Sequence, residues 1–365
     1  MAKYRNQLIA GVLIALTIYI LYFFVAEYQF GAALTDTLGS FNWALLPLLI
    51  GTQLLMVVFR FIAWQYYLGV IRARHRISVF DSFVLFVSCF TLVISPGKAA
   101  EVLKSVLLRA KTGVPFARSV PIVLAERIID GLAVIVLMTL ALLFAGAQLN
   151  LGEYEGINYD TLSRTIVFGS LIAIGSGLVV VQIKPLAYAI LNTLYKLPLL
   201  RRAYRPLLTF YESSRTIFQL RHVLPMTLVG TGTYFASVLC FILVLYGFGL
   251  EITWQLALQA TFIVGVTSAI GALSFVPNGA GITEVTNIGL LMAIVAPLDP
   301  TMTPAVAVSA SLIQGFFHKW LRVLFGLGMA IIFRERLFTS ATQEALREFE
   351  AHEEQRRHGV ELAST

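Results

Sequence analysis

Long apolar runs alternate with short basic segments along most of the chain. The runs at 7–26, 43–70, 120–147, 165–183, 223–249 and 303–333 each reach the roughly 17–25 residues that a helix needs to cross a bilayer. Two further pairs of apolar segments, 79–95 with 100–108 and 254–276 with 281–297, are split by Pro and Gly. The first break reads Ser95-Pro96-Gly97-Lys98-Ala99-Ala100-Glu101, and the second reads Pro277-Asn278-Gly279-Ala280-Gly281-Ile282-Thr283-Glu284. Both resume as apolar sequence with a carboxylate in the first turns. Each is followed, one apolar run later, by a charged cluster: Glu126-Arg127-Ile128-Ile129-Asp130 and His318-Lys319-Trp320-Leu321-Arg322.

Composition agrees with this pattern. The chain is 58% hydrophobic and 13% charged, with a mean hydropathy of +0.81, outside the range of soluble domains. The expected class is an all-α, polytopic integral membrane protein. Lys3 and Arg5 precede the run 7–26, which is longer than the apolar region of a signal peptide, so a retained first helix is expected. Cys89 and Cys240 lie in apolar runs without metal-ligand spacing.

The basic residues orient the chain. Six of the 27 Lys and Arg fall within or beside apolar segments: Arg60, Lys98, Lys104, Arg127, Lys319 and Arg322. Nearly all the others lie on one side, at the N-terminus, in 72–76, 109–118 and 184–221, and beyond Arg334. Arg164 alone falls on the other, among Glu27, Asp36, Glu153, Glu155, Asp160, Glu251 and Asp299. The positive-inside rule makes the basic side cytoplasmic, with both termini there. The net charge of +7 would then face anionic headgroups. With 72–76 and 109–118 both inside, the pair around Pro96 enters and returns to the cytoplasm. With Glu251 and Asp299 both outside, the pair around Pro277 enters and returns to the exterior. Blocks 43–147 and 223–333 thus share one plan (span, broken hairpin, span) in opposite orientations, the signature of inverted-topology repeats. Short arms beginning with Gly and Ala favour re-entrant hairpins over fully crossing ones. Residues 184–222 alternate Leu, Tyr and Phe with basic residues between prolines, the pattern of interfacial amphipathic helices or of a connecting loop. Residues 1–336 are expected to form the transmembrane domain, and 337–365 a cytoplasmic tail.

A helix that starts inside the membrane offers unpaired N–H groups and partial positive charge, and glycine lets an anion approach closely. Gly97-Lys98-Ala99-Ala100 and Asn278-Gly279-Ala280-Gly281 fit that role; the alternative is that they shape tight helix packing. Charges inside a bilayer cost roughly 2.5–3.5 kcal/mol each on insertion scales and so mark function, unless they snorkel from a helix end. Glu101 and Lys104 share a face and can neutralise each other. Glu126 and Asp130 share a face and need a cation, which Lys319 or Arg322 would supply across the two blocks. The candidate substrate-binding set is Pro96, Gly97, Lys98, Glu101, Lys104, Glu126, Arg127, Asp130, Asn278, Gly279, Gly281, Glu284, His318, Lys319 and Arg322. The basic members would hold a phosphate; the carboxylates would hold an amino headgroup or carry protons. No catalytic nucleophile set, paired metal ligands or nucleotide loop is evident, so neither enzymatic activity nor a cofactor is expected. The basic loops point to lipid headgroups rather than nucleic acid.

The three motifs, in order and spacing, resemble those of the lysylphosphatidylglycerol synthase transmembrane-region family, the flippase-like domain of multiple peptide resistance proteins. Pro96 to Glu101 resembles the family's Pro-Gly-x-x-Gly-Glu, departing at Ala100. Glu126 to Asp130 resembles Glu-Arg-x-x-Asp, and Pro277 to Glu284 resembles Pro-x-Gly-x-Gly-x-x-Glu. The resemblance covers roughly 7–336. It implies movement of a phosphate-containing lipid between leaflets of a bacterial or archaeal cell membrane, with no aminoacyl transfer. The resemblance leaves the lipid open, since a phospholipid, an aminoacyl-phospholipid and a polyprenyl-phosphate glycolipid all present a phosphate. A homodimer is compatible with this reading. The competing reading is a non-transporting scaffold for a lipid-modifying or glycosyl-transferring enzyme.

Overall fold

The structure is a computed structural model that describes residues 32–94, 103–145, 153–154, 157–196, 204–274 and 279–337, with the isolated positions 17, 276 and 339. The run 7–26, Pro96, Gly97, Lys98 and Glu101 of the first break, Pro277 and Asn278 of the second, and the tail beyond 339 lie outside the described residues. Everything described is helical except a two-residue β-ladder, in which β1 (Glu153–Tyr154) pairs antiparallel with β2 (Ile157–Asn158).

In chain order the helices are α1 (Ala32–Ser40), α2 (Leu46–Val70), α3 (Val79–Ser88), α4 (Leu103–Thr112), α5 (Phe116–Ala145), α6 (Tyr159–Gln182) and α7 (Lys184–Lys196). There follow α8 (Tyr204–Ile217), α9 (Leu220–Gly247), α10 (Trp254–Leu273), α11 (Ile282–Leu290), α12 (Pro304–Gly315), α13 (Leu321–Ile332) and α14 (Arg334–Leu337). Among the described residues, five helices are long and apolar enough to cross a membrane: Trp43–Val70, Phe116–Phe144, Leu220–Gly247, Trp254–Leu273 and Pro304–Ile332. The first of these includes the 3-10 turn Trp43–Leu45, and the last joins α12 to α13 through a π-helical turn, Phe316–Trp320. The apolar part of α6, Val167–Gln182, is shorter.

Local sequence chemistry explains several boundaries. The hydroxyls of Ser78, Thr253 and Thr303 accept from the backbone N–H of Asp81, Leu256 and Val306, and so cap α3, α10 and α12. Pro304 at the first helical position of α12 carries no N–H that would need a partner. The two arms flanking the second break are unequal: α10 runs 20 residues, whereas α11 runs 9 before a π-helical turn, Leu291–Val295. The hydroxyl of Thr267 on α10 donates to Asn287 Oδ1 on α11 at 2.7 Å, clasping the arms together.

Two apolar cores stack along the bundle. One gathers Leu49, Met138, Phe241, Phe262, Leu291 and Phe317 from α2, α5, α9, α10 and the segments after α11 and α12. The other gathers Trp64, Tyr67, Leu85, Leu103, Ile122 and Ile217 from α2, α3, α4, α5 and α8. Leu48, Leu54, Val58 and Ile62 on α2 and Leu224 and Leu228 on α9 are exposed, as expected of helices whose solvent on that side is hydrocarbon. At the end of α13, α14 docks on α3 and α4: Arg336 Nη1 meets Asp81 Oδ1 at 3.1 Å, and Lys111 donates to the Arg336 carbonyl.

Close helix approach depends on glycine at a few positions. A Cβ at Gly326 would sit 2.9 Å from the carbonyl oxygen of Val87 and 3.0 Å from the amide of Thr91, so α13 lies directly on the end of α3. A Cβ at Gly230 of α9 would run into the Ile129 side chain of α5. Gly230→Val is therefore expected to destabilise the fold by ~1–3 kcal/mol through overpacking. Gly328→Ala, which meets nothing within 4 Å, should leave the apparent melting temperature in detergent level or slightly raised. Thermal unfolding followed by tryptophan fluorescence compares the two.

Candidate functional site

A cavity of about 720 Å³ opens where the two cores meet. Its wall is largely apolar, with Phe86, Cys89, Phe90, Val134, Ile135 and Val264 among the lining residues. Its polar groups converge from both halves of the chain: Arg60, Lys104, Glu126, Arg127 and Asp130 from the first, and Tyr234, Glu284, His318, Lys319 and Arg322 from the second. Of the residues singled out by sequence, Lys104, Glu126, Arg127, Asp130, Gly279, Glu284, His318, Lys319 and Arg322 line this single cavity. Gly281 sits behind it as the cap of α11.

The second break is the best-defined part. Gly279 and Gly281 have φ of +64° and +83°, a region that disfavours any side chain. A Cβ on Gly279 would also lie 2.9 Å from Thr283 Cγ2. This backbone turns α11 inward and leaves its first N–H groups without helical partners. Glu284 fills that gap with its own carboxylate: Gly281 N–H donates to Glu284 Oε2 at 2.8 Å, and the Thr283 hydroxyl donates to the same oxygen at 3.0 Å. The other oxygen, Oε1, lies 2.7 Å from Lys319 Nζ, with the Glu284 side chain 1% and the Lys319 side chain 6% exposed. Lys319 also donates to the Gly279 carbonyl at 3.3 Å and to the Thr283 hydroxyl. Its three N–H groups thus all have acceptors within the break. The π-helical turn at Phe316–Trp320 brings Lys319 to this point, a device often found where a helix must re-aim a functional side chain. Gly315 makes room, since a Cβ there would lie 2.5 Å from Glu284 Oε1.

The first-half charges pair among themselves. Lys104 on α4 reaches Glu126 Oε1 on α5 at 2.7 Å, with its ammonium 4.0 Å from the Trp64 ring centroid and 4.5 Å from that of Phe86. Asp130 is held by Arg60 at 3.1 Å and by Arg127 at 3.2 Å. This corrects the sequence expectation that Lys319 or Arg322 would neutralise Glu126 and Asp130 across the halves. Among the described residues the salt bridges of the cavity close within each half. The reason is reach: Lys104 and Arg60 project onto α5 from packed neighbours, and Arg127 meets Asp130 one helical turn on. In the second half, the Ser237 hydroxyl lies 3.1 Å from His318 Nδ1.

Arg60, Tyr234, Thr283 and Asn287 belong to the site without having been assigned to it by sequence. Arg60 carried a usable signal, a charge in the middle of the run 43–70. Tyr234, Thr283 and Asn287 carried none, because polar residues of these types are ordinary in membrane helices.

Comparison with known families now adds to this geometry. A family described as "Lysylphosphatidylglycerol synthase TM region" matches residues 8–326. The chain belongs to this lysylphosphatidylglycerol synthase transmembrane-region family. The match takes in all five membrane-length helices except the last residues of α13, and so every charged residue of the cavity. It concerns the transmembrane region of the synthase, not its catalytic domain. No curated protein and no solved structure matches the chain.

Removing Lys319 would leave the Glu284 carboxylate buried beside apolar helices. Lys319→Met is expected to cost ~3–5 kcal/mol, as is usual when one partner of a buried pair is lost. The double variant Glu284→Gln with Lys319→Met should recover much of that loss, because no uncompensated charge remains. Melting temperatures of the two single variants and the double one, closed as a double-mutant cycle, test the coupling. Strictly additive losses would show that the two groups are independent.

Proposed function

We propose that this chain moves a phosphate-containing lipid between membrane leaflets, the headgroup passing through the charged cavity while the tails stay in the bilayer. One observation carries the reading: a single cavity, large enough for a headgroup, holds, among the described residues, five cations and three carboxylates between membrane-length helices from both halves of the chain. Charges at that depth are expensive, and packing alone gives no reason to gather eight of them around open space. Family membership points the same way, since the matched region is the membrane part of a protein named for a lipid.

The inverted-repeat arrangement, with broken hairpins re-entering around Pro96 and Pro277, forms part of this proposal. It draws support from how the ion pairs are distributed. In the first half, α4, after the break, supplies Lys104 and the next span supplies Glu126. In the second half, α11, after the break, supplies Glu284 and the next span supplies Lys319. In each half an ion pair joins the helix after the break to the following span, with the signs exchanged. Repeats of opposite topology rocking about such a site give alternating access. The orientation with both termini in the cytoplasm rests on the distribution of basic residues.

Reconstitution of the purified chain into vesicles with labelled phospholipids and, separately, polyprenyl phosphates tests the function. The expected result is leaflet exchange of at least one lipid faster than in protein-free vesicles, and slower again with Asp130→Asn. Unchanged exchange for every lipid in both classes would favour the scaffold reading.

A further inference from the structure

The cations on the cavity wall are not equivalent. Five of them face three carboxylates, an excess of two positive charges among the described residues with His318 neutral. Lys319 has all three N–H groups engaged by Gly279, Thr283 and Glu284. Lys104 is spent on Glu126 and two aromatic faces. The surplus therefore lies with the arginines, where Arg60, Arg127 and Arg322 share the single carboxylate of Asp130.

Arg322 is the distinctive member. It lines the cavity, makes no hydrogen bond or salt bridge with the described residues, and has a buried Nε without an acceptor. Its electrostatic neighbours are Arg60, Arg127, Asp130 and Tyr234. Arg60 turns two nitrogens to Asp130, at 3.1 and 3.3 Å, and its Nε is likewise buried without an acceptor. At Arg322 a guanidinium beside open space meets no acceptor among the described residues, and its fork matches the planar, bidentate chemistry of a phosphate.

We infer that Arg322 holds the phosphate of a lipid whose headgroup is net anionic, with the positive charge of Arg60 and Arg127 alongside, while Lys104 and Lys319 serve the structure. This rests on the translocation reading and sharpens it, because a zwitterionic headgroup would leave the surplus charge unmatched. Phosphatidic acid, which presents a bare lipid phosphate, and phosphatidylcholine, which covers it with a choline, are the probes. Binding to the full chain in detergent, read by native mass spectrometry, should favour phosphatidic acid. Arg322→Gln should weaken phosphatidic acid binding roughly tenfold or more, the loss expected for charge-assisted hydrogen bonds, and abolish the preference at an unchanged melting temperature. Arg322→Lys keeps the charge without the fork and should fall between the two. Should Arg322→Gln fail to fold, Arg322→Lys decides: binding equal to that of the natural chain overturns the assignment. Undiminished binding by a folded Arg322→Gln, or equal affinity of the natural chain for both lipids, also overturns it. Displacement of phosphatidic acid by equimolar inorganic phosphate would assign the site to the free ion and overturn the lipid assignment. Leaflet exchange is read separately. Arg322-dependent binding without exchange would keep this site and remove translocation; exchange without Arg322-dependent selectivity would do the reverse.

Discussion

A charge taken into the middle of a bilayer-spanning bundle must find its counter-charge nearby, and the architecture around the cavity follows from that demand. Coulomb attraction offsets the loss of water only when the partners touch and their remaining hydrogen-bonding groups are filled. Glu284 and Lys319 meet this condition fully: every N–H of the ammonium has an acceptor, and both carboxylate oxygens are engaged. The pair fixes the irregular turn at Gly279 and Gly281 to the π-helical turn of the last span. Irregular backbone at membrane depth survives only where protein or a water-filled cavity surrounds it. Here one side is Lys319 and the other is the cavity.

The same demand explains why the ion pairs close within each half. A charge pair that bridged the halves would hold them in one arrangement, and any rocking motion would have to expose two bare charges. On the proposed rocking of the halves, pairs confined to α4–α5 and α2–α5 on one side, and to α11 with the last span on the other, would let each half keep its charges neutralised. What remains at the seam is Arg322 facing Arg60, Arg127 and Asp130. Two like-charged groups from opposite halves are brought together there, and a bound anion would relieve their repulsion. On the proposed reading, such a contact would tie the relative placement of the halves to the presence of a ligand, which is the thermodynamic requirement for a ligand-driven shift between states.

Much of this was legible in the sequence, for identifiable reasons. Hydropathy alone locates most of the membrane-length helices, because the bilayer imposes length and apolarity on each; the run 43–70 emerges unchanged, whereas 254–276, read as one arm of a broken hairpin, forms the membrane-length helix Trp254–Leu273. The second break was legible because Pro and Gly interrupt an apolar run, and glycine adopts the positive φ found at 279 and 281 most readily. The charged residues of the cavity were legible because a charge in an apolar run is rarely idle. Their partners were not. Asp130 pairs with Arg60, seventy positions away, and sequence spacing gave no reason to prefer it over Lys319 or Arg322. The start of α11, where a substrate anion was one candidate for the free N–H groups, is filled from inside the chain. Glu284 stands three residues after Gly281, where a carboxylate reaches back to the cap N–H, and it occupies that donor itself.

The central claim is that the charged space between the cores is open to water and to a lipid headgroup. Ser268, on the cavity wall, offers a direct test through Ser268→Cys in a chain lacking Cys89 and Cys240. In reconstituted vesicles, a water-soluble, membrane-impermeant maleimide should label this position from at least one side, and adding an anionic phospholipid substrate should slow the labelling. A thiol inert from both sides under conditions that label an exposed loop cysteine would contradict the account, since the cavity would then be a sealed packing defect rather than a passage.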